Sequence, residues 1–172
     1  MRLFHVSEES DIKVFNPRIP TRSDLEQSIG LVWAINEECL PNFITPRDCP
    51  RVTYHVGKDT TSMDKDSFIT LKNCNHVVII ENRWLETMIN TTLYLYEFDP
   101  TGFTLQDENA GYYVSTTPQV PINKFVIKDL LQELFLREVE VRLVDNLWDI
   151  CDKIKNTSFH WSMCRMGNAF RD

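Results

Sequence analysis

Glycine is scarce in this sequence: five residues among 172, none of which forms a GxGxxG turn or a P-loop. Folds that bind dinucleotides or nucleoside triphosphates at a strand-to-helix turn need such glycines, because glycine lets backbone N–H groups approach the phosphates closely. The shortage therefore argues against a doubly wound α/β fold.

Basic residues and long apolar runs are also lacking. Lysine and arginine number 18 against 25 acidic residues, which gives a formal net charge of -7. This balance disfavours a nucleic acid or an anionic membrane as the main partner. No apolar run approaches the roughly 18 residues that a membrane-spanning helix needs, and the N-terminus lacks the pattern of a signal peptide. We therefore expect a cytoplasmic protein with no membrane partner.

Cysteine pairs are missing, since the five cysteines lie at long spacings without a CxxC motif. We expect reduced and mostly buried thiols, because a buried free cysteine behaves as a small hydrophobe. Cys49 has a second interpretation. Arg47 and Arg51 flank it in RDCPR, and their charges would lower the pKa of an accessible thiol.

Patterns of metal ligands are missing as well. The four histidines include no HxH or HxxxH pair, so we predict no metal site. His55 and His76 are interpreted as structural residues at strand ends. A metal-dependent enzyme stays open as a third hypothesis, because ligands that are far apart in sequence leave no pattern.

Short strand patterns, in contrast, recur along the chain. RLFHVS and RVTYHV alternate polar and apolar residues, and TLYLYEF (92–98) is the clearest strand. KDLLQELF and NLWDICDKI carry apolar residues at helical spacing. Because strands and helices do not alternate regularly, these patterns predict an α+β fold with a mostly antiparallel sheet, in a single domain over residues 1–172.

Histidine, serine and arginine supply the candidate binding residues. Strand alternation places His5 and Ser7 on the same face as Leu3. Guanidinium groups grip phosphate in a bidentate way. The arginines considered for this role are Arg18, Arg22, Arg47, Arg51 and Arg165. A polar cluster in the tail comprises His160, Ser162, Arg165 and Asn168; a C-terminal helix with a polar outer side explains that cluster as well as a site does.

Two resemblances add to this interpretation. RLFHVSEE, LVWAI, TPRDCPR, YLYEF, GYYVST and FHWSMCRMGNA resemble segments of a family of uncharacterised bacterial proteins. The first strand ending in His-x-Ser, followed by a turn and a loop with arginine, is similar to the start of the ADP-ribosyltransferase-like fold, including its RNA 2'-phosphotransferase and toxin-type branches.

The second resemblance implies a strongly bent sheet and a site for NAD. His5 would hold a ribose hydroxyl, and Trp33 would be the aromatic residue that stacks on nicotinamide. The catalytic glutamate of that fold has only a weak counterpart, because Glu108 precedes its strand by three residues. An atypical or missing glutamate removes a charge that stabilises a cationic transition state.

The leading hypothesis is therefore a protein that binds NAD or a phosphorylated ribonucleotide, with ADP-ribosyl or phosphoryl transfer as a further step. Its predicted binding residues are His5, Ser7, Arg18, Trp33 and Arg47, with Glu108 as the catalytic candidate. The alternative is a non-catalytic interaction or ligand-binding protein, in which His5 is structural.

Overall fold

A computed structural model of the chain describes residues 1–20 and 26–171. Arg22, one of the arginines considered for anion binding, lies outside these residues. The chain forms two compact units. Unit 1 comprises Met1–Leu40 and Leu93–Val126, and unit 2 comprises Pro41–Thr92 and Ile127–Asp172.

The strands and α-helices of the described residues are, in chain order, β1 Leu3–Ser7, β2 Val32–Asn36, β3 Arg51–His55, α1 Ser62–Phe68, β4 His76–Glu81, α2 Leu85–Asn90, β5 Leu93–Phe98, β6 Thr104–Asp107, β7 Tyr112–Ser115, β8 Asn123–Ile127, α3 Leu130–Leu136, β9 Val139–Val144, α4 Trp148–Lys155 and β10 His160–Cys164. The predicted α+β class is confirmed, with two mostly antiparallel sheets and four α-helices in the part of the chain described. None of these helices has the length and apolar character needed to cross a membrane.

Unit 1 contains a six-stranded sheet in the order β6-β7-β2-β1-β5-β8. Strand β1 pairs antiparallel with β5 over its full length, but with β2 only at Leu3 and Phe4. One face of the sheet carries an apolar core. The buried members of this core are Leu3, Phe15, Val32, Ala34, Tyr96 and Phe98.

The segment between β1 and β2 is fixed against this core face. The backbone of Phe15 exchanges two hydrogen bonds with Gln119, and the Tyr96 hydroxyl donates to the carbonyl of Glu9 while it accepts from the amide of Ile12. The sequence predicts a short helical turn at SEESD and a long loop over residues 16–30. The structure describes SEESD without a helix, and residues 9–15, which precede the predicted loop, are held by hydrogen bonds to Tyr96 of β5 and to the backbone of Gln119.

Unit 2 contains a four-stranded sheet in the order β10-β3-β4-β9, in which only the β4–β9 pairing is parallel. Strand β4 is buried along its whole length, as its apolar run predicts for a central strand. Helix α4 packs Cys151 and Ile154 into the core beneath this sheet.

The tail of unit 2 differs from the helical alternative considered for it. His160–Cys164 is strand β10, which pairs with β3 so that His160 faces His55 and Ser162 faces Thr53. The local amphipathicity of this segment is weak, and cross-strand hydrogen bonds to β3 stabilise its strand conformation instead. Arg165 and Asn168 follow the strand in a short 3-10 turn.

Candidate functional site

His5 lies half-buried in the middle of β1, and its ring nitrogen Nδ1 is 3.0 Å from the carbonyl oxygen of Trp33. A carbonyl oxygen only accepts hydrogen bonds, so Nδ1 must carry a proton. In the neutral imidazole Nε2 then presents a lone pair. This contact forms where the pairing of β1 with β2 has ended, which leaves room for a side-chain donor.

The His5 ring is also held by an aromatic neighbour. Its centroid lies 4.8 Å from that of Phe15. Phe15 in turn makes edge contacts with Tyr96 and Phe98, at 5.2 and 5.0 Å between centroids. The imidazole is therefore fixed both by a hydrogen bond and by the core, and has little freedom to rotate.

The register of β1 against β5 brings further polar groups to the same face as His5. Ser7 is the cross-strand partner of Tyr94, as His5 is of Tyr96. The Ser7 hydroxyl oxygen accepts from the amide of Glu9 at 3.0 Å, which leaves its proton for donation to another group. The Lys124 ammonium lies 5.7 Å from the centroid of the Tyr94 ring. We call His5, Ser7, Tyr94 and Lys124 the His5 face.

Trp33 does not lie on the His5 face. Phe4 pairs with Ile35, so Ile35 and Trp33 occupy the face of the sheet opposite to His5. The Trp33 ring contacts Tyr112 there, edge to face, with 5.5 Å between centroids. The structure therefore joins His5 to the backbone of Trp33 and not to its indole.

The remaining predicted residues lie elsewhere along the chain. Arg18 is exposed, and its backbone exchanges two hydrogen bonds with Leu31 just before β2. Glu108 lies in the exposed turn between β6 and β7, where its carbonyl accepts from the amide of Gly111. Arg47 belongs to unit 2, and its carbonyl accepts from the Arg165 guanidinium at 3.2 Å.

Two members of the His5 face, Tyr94 and Lys124, are absent from the sequence-based set. Tyr94 is the third residue of TLYLYEF, a stretch that the sequence presents as a buried strand. Lys124 lies on β8, shortly after Pro121. The cross-strand register identifies Tyr94, and the distance from the Tyr94 ring identifies Lys124, because neither has a local motif.

Comparison with known proteins identifies a family for the chain. The model of the Family of unknown function (DUF6886) matches residues 4–169. The chain belongs to this family. No curated protein and no solved structure matches it. The predicted membership of an uncharacterised family is thus confirmed, and the family's description assigns no activity to any residue.

The burial of Cys49 bears on the two interpretations of its thiol. Burial raises the pKa of its thiol to about 12, although the charge of Arg51 acts in the opposite direction. The Arg51 guanidinium is itself buried and donates to the carbonyls of Asn42 and Cys49, at 2.8 and 3.0 Å. In this member of the DUF6886 family the burial of Cys49 thus favours its structural interpretation over the activated thiol, and Arg51 is held by backbone carbonyls.

Three histidines form a row across the sheet of unit 2. His160, His55 and His76 are cross-strand partners on β10, β3 and β4, and their ring centroids are separated by 5.4 and 5.0 Å. His76 Nε2 is 2.8 Å from Asn42 Oδ1. Burial and the neighbouring His55 lower the pKa of His76 to about 3. Among the described residues, no group of three or more histidine, cysteine or acidic side chains is arranged to hold a metal ion.

Proposed function

We propose that the chain binds a nucleotide, NAD or a related phosphorylated ribonucleotide, on the His5 face of unit 1. The observation that supports this proposal is the β1–β5 register, which sets His5 and Ser7 beside Tyr94 and near the ammonium of Lys124. An acceptor, a donor, an aromatic ring and a positive charge thus occur on one face.

Each of these groups matches one part of a nucleotide. A ribose hydroxyl donates to Nε2 of His5, whose opposite nitrogen is fixed by the carbonyl of Trp33. The Ser7 hydroxyl donates to an oxygen of the sugar or the phosphate. The Tyr94 ring offers a surface on which a base stacks, and Lys124 neutralises a phosphate.

The resemblance of the first strand to the ADP-ribosyltransferase-like fold supports the role of His5, and an architecture of that type is part of the proposal. We assign the role of the stacking aromatic residue to Tyr94 instead of Trp33, because Trp33 faces the other side of the sheet. The proposal is limited to binding. Glu97, the acidic residue of β5, points away from His5 and is engaged by Arg2 and Asn123.

The test is a thermal unfolding series on the full chain with NAD, ADP-ribose and a 2'-phosphorylated nucleotide. A ligand at one hundred times its Kd stabilises the native state by about 2.7 kcal/mol, which corresponds to a rise in Tm of roughly 5–10 °C for a chain of this size. We expect this rise with at least one of the three ligands.

Two variants make the test specific. His5→Asn retains a donor toward the carbonyl of Trp33 but removes the acceptor at Nε2, so we expect it to fold and to lose the ligand-induced rise. Trp33→Phe alters the opposite face and should keep the rise. The proposal is wrong if no ligand shifts the wild-type Tm, or if His5→Asn responds as the wild type does. His5 would then be a structural residue, a role with which its contacts to Trp33 and Phe15 also agree.

A further inference from the structure

Unit 2 contains an open cleft that none of the roles above involves. Its volume is about 620 Å³, and it is lined by Asp48, Trp84, Arg165, Gly167 and Asn168. This volume lies within the range of small-molecule sites, roughly 300–1,000 Å³. We call it the Arg165 cleft.

The walls of the Arg165 cleft are fixed by a buried carboxylate. Glu81, at the end of β4, is 0% exposed, and it accepts from the Arg83 guanidinium at 2.7 Å and from the amide of Phe170 at 2.8 Å. Arg83 also donates to the carbonyl of Asn168 at 2.6 Å. The segment that carries Arg165 and Asn168 is therefore bound to the central strand of the sheet.

Arg165 presents an unused guanidinium fork at this cleft. Its Nε donates to the carbonyl of Arg47 at 3.2 Å, and no acceptor among the described residues meets its two terminal nitrogens. The side chain is 51% exposed. The residue also adopts φ 55°, a left-handed conformation that is unfavourable for a residue other than glycine.

The opposite type of group lies next to it. The Asp48 carboxylate is 4.0 Å from Nε of Arg165, too far for a strong hydrogen bond, and is 66% exposed. Asn168 uses its amide nitrogen to donate to the backbone carbonyl of Asp48 at 2.8 Å, so its side-chain oxygen remains an acceptor. The cleft thus offers a cation with two acceptors beside it.

Trp84 completes the lining and carries an unpaired donor. Its indole nitrogen Nε1 is buried and meets no acceptor within the described residues. A buried donor without a partner destabilises the native state, which is why such groups are rare in native proteins. The indole also provides an aromatic surface against which an apolar group or an ammonium packs.

We propose that the Arg165 cleft binds a zwitterionic α-amino acid. The ligand carboxylate pairs with the free fork of Arg165, its ammonium lies between Asp48 and the side-chain oxygen of Asn168, and its side chain packs toward Trp84. A free phosphate group fits less well, because the Asp48 carboxylate beside Arg165 would repel a dianion. A ligand that carries both charges satisfies both residues at once.

The experiment is calorimetric titration of the full chain with each of the twenty L-amino acids at up to about 10 mM, a range that detects Kd values in the millimolar region. The best binder is then compared with its N-acetyl and its amide derivative, which each lack one charge. We expect at least one amino acid to bind, and each derivative to bind roughly tenfold more weakly or worse, since a hydrogen bond to a charged group contributes about 1.5–3 kcal/mol.

Variants locate the binding. Arg165→Gly removes the guanidinium at a backbone conformation that glycine prefers, so the fold should persist while binding falls by roughly tenfold or more. Asp48→Asn should weaken binding in the same way. Glu138→Gly is the matched control, because Glu138 is the other non-glycine residue at positive φ among the described residues, φ 56°, and does not line the cleft; it should bind as the wild type does.

The proposal is overturned if no amino acid binds, if the N-acetyl derivative or the amide binds as tightly as its parent, or if Arg165→Gly retains full affinity. Inorganic phosphate is included as a further probe. Phosphate binding that Arg165→Gly abolishes, with no binding of amino acids, would identify a simple anion site instead.

Discussion

His76 and Asn42 are joined by a hydrogen bond of 2.8 Å in the buried interior of unit 2. The Asn42 oxygen accepts, so Nε2 of His76 carries the proton, and the ring is neutral because burial and His55 lower its pKa to about 3. The unfolded chain has no such constraint and returns His76 to a pKa near 6.5.

This difference predicts that acid destabilises the fold. Above pH 6.5 neither state binds the proton and His76 has no linked effect on stability. As the pH falls from 6.5 toward 3 only the unfolded state is protonated, so the free energy of unfolding decreases, by about 2 kcal/mol at pH 5. Urea unfolding at pH 7.5 and pH 5 should show this loss in the wild type. His76→Gln, which cannot titrate, should lose less; an equal loss in both proteins would assign the acid sensitivity to other groups.

Gly57 and His160 provide a prediction about packing. A Cβ atom on Gly57 would lie 2.5 Å from Nε2 of His160, at the end of the histidine row. Gly57→Ala should therefore destabilise the protein by about 1–3 kcal/mol, because the imidazole must shift. Gly167→Ala is the control, since a Cβ atom there would have no neighbour within 4 Å; its effect on the free energy of unfolding should be below about 0.5 kcal/mol. Similar values for the two variants would contradict the contact.

Some elements of the fold are predictable from the local sequence, and others are not. Strands β5 and β4 and helices α3 and α4 are predictable because each has a local pattern: a short run of apolar residues for a strand, or helical spacing of buried ones. Helix α1 is not, since GKDTTSMDKDS is polar, and the helix buries none of its residues and depends on Thr61, which accepts from the amide of Asp64.

The candidate site is predictable only in part for a similar reason. His5 and Ser7 share a face because alternation along one strand is local. The placement of Trp33 on the opposite face follows from the pairing of Phe4 with Ile35, and Tyr94 joins the site through its pairing with Ser7. Register between strands distant in sequence is set by tertiary packing, and one residue of shift would exchange the faces.

Glu81 carries a prediction about the C-terminal segment. Its carboxylate is fully buried and satisfies both Arg83 and the amide of Phe170. Glu81→Ala should destabilise the protein by about 1–3 kcal/mol, because the Phe170 amide loses its charged acceptor while the half-exposed Arg83 is left to solvent, and should speed hydrogen exchange at the Phe170 amide. Glu133→Ala breaks a partly exposed pair with Arg137 on α3 and should cost about 0.5 kcal/mol. Unchanged exchange at Phe170 in Glu81→Ala would show that other contacts hold the segment.

The cysteines predict selective alkylation. Burial raises the pKa of both Cys39 and Cys49 to about 12, so neither thiol forms the reactive thiolate at pH 8. Cys164 is the half-exposed cysteine, whereas the other four are buried. Treatment of the native protein with iodoacetamide should modify Cys164 first, as measured by peptide mass spectrometry, and Cys164→Ser should remove most of the early modification. Rapid labelling of Cys49 would instead support the activated thiol that its flanking arginines suggested.

Trp84 and Trp148 give a matched pair for the cost of an unpaired donor. The indole N–H of Trp148 donates to the carbonyl of Phe170 at 3.0 Å, whereas the buried N–H of Trp84 meets no acceptor within the described residues. Phenylalanine removes the donor in both cases. Trp148→Phe removes an exposed hydrogen bond, whose carbonyl water then solvates, and loses the contact with Arg171, so we expect a loss of about 0.5–1.5 kcal/mol in the free energy of unfolding. Trp84→Phe removes the unpaired donor, and this gain offsets the packing that is lost with the smaller ring. Its free energy of unfolding, measured in urea, should therefore stay within about 1 kcal/mol of the wild type. A large loss in Trp84→Phe would mean that its N–H is satisfied in solution, by water or by a bound ligand, and titration of the same variant with amino acids would then distinguish the two.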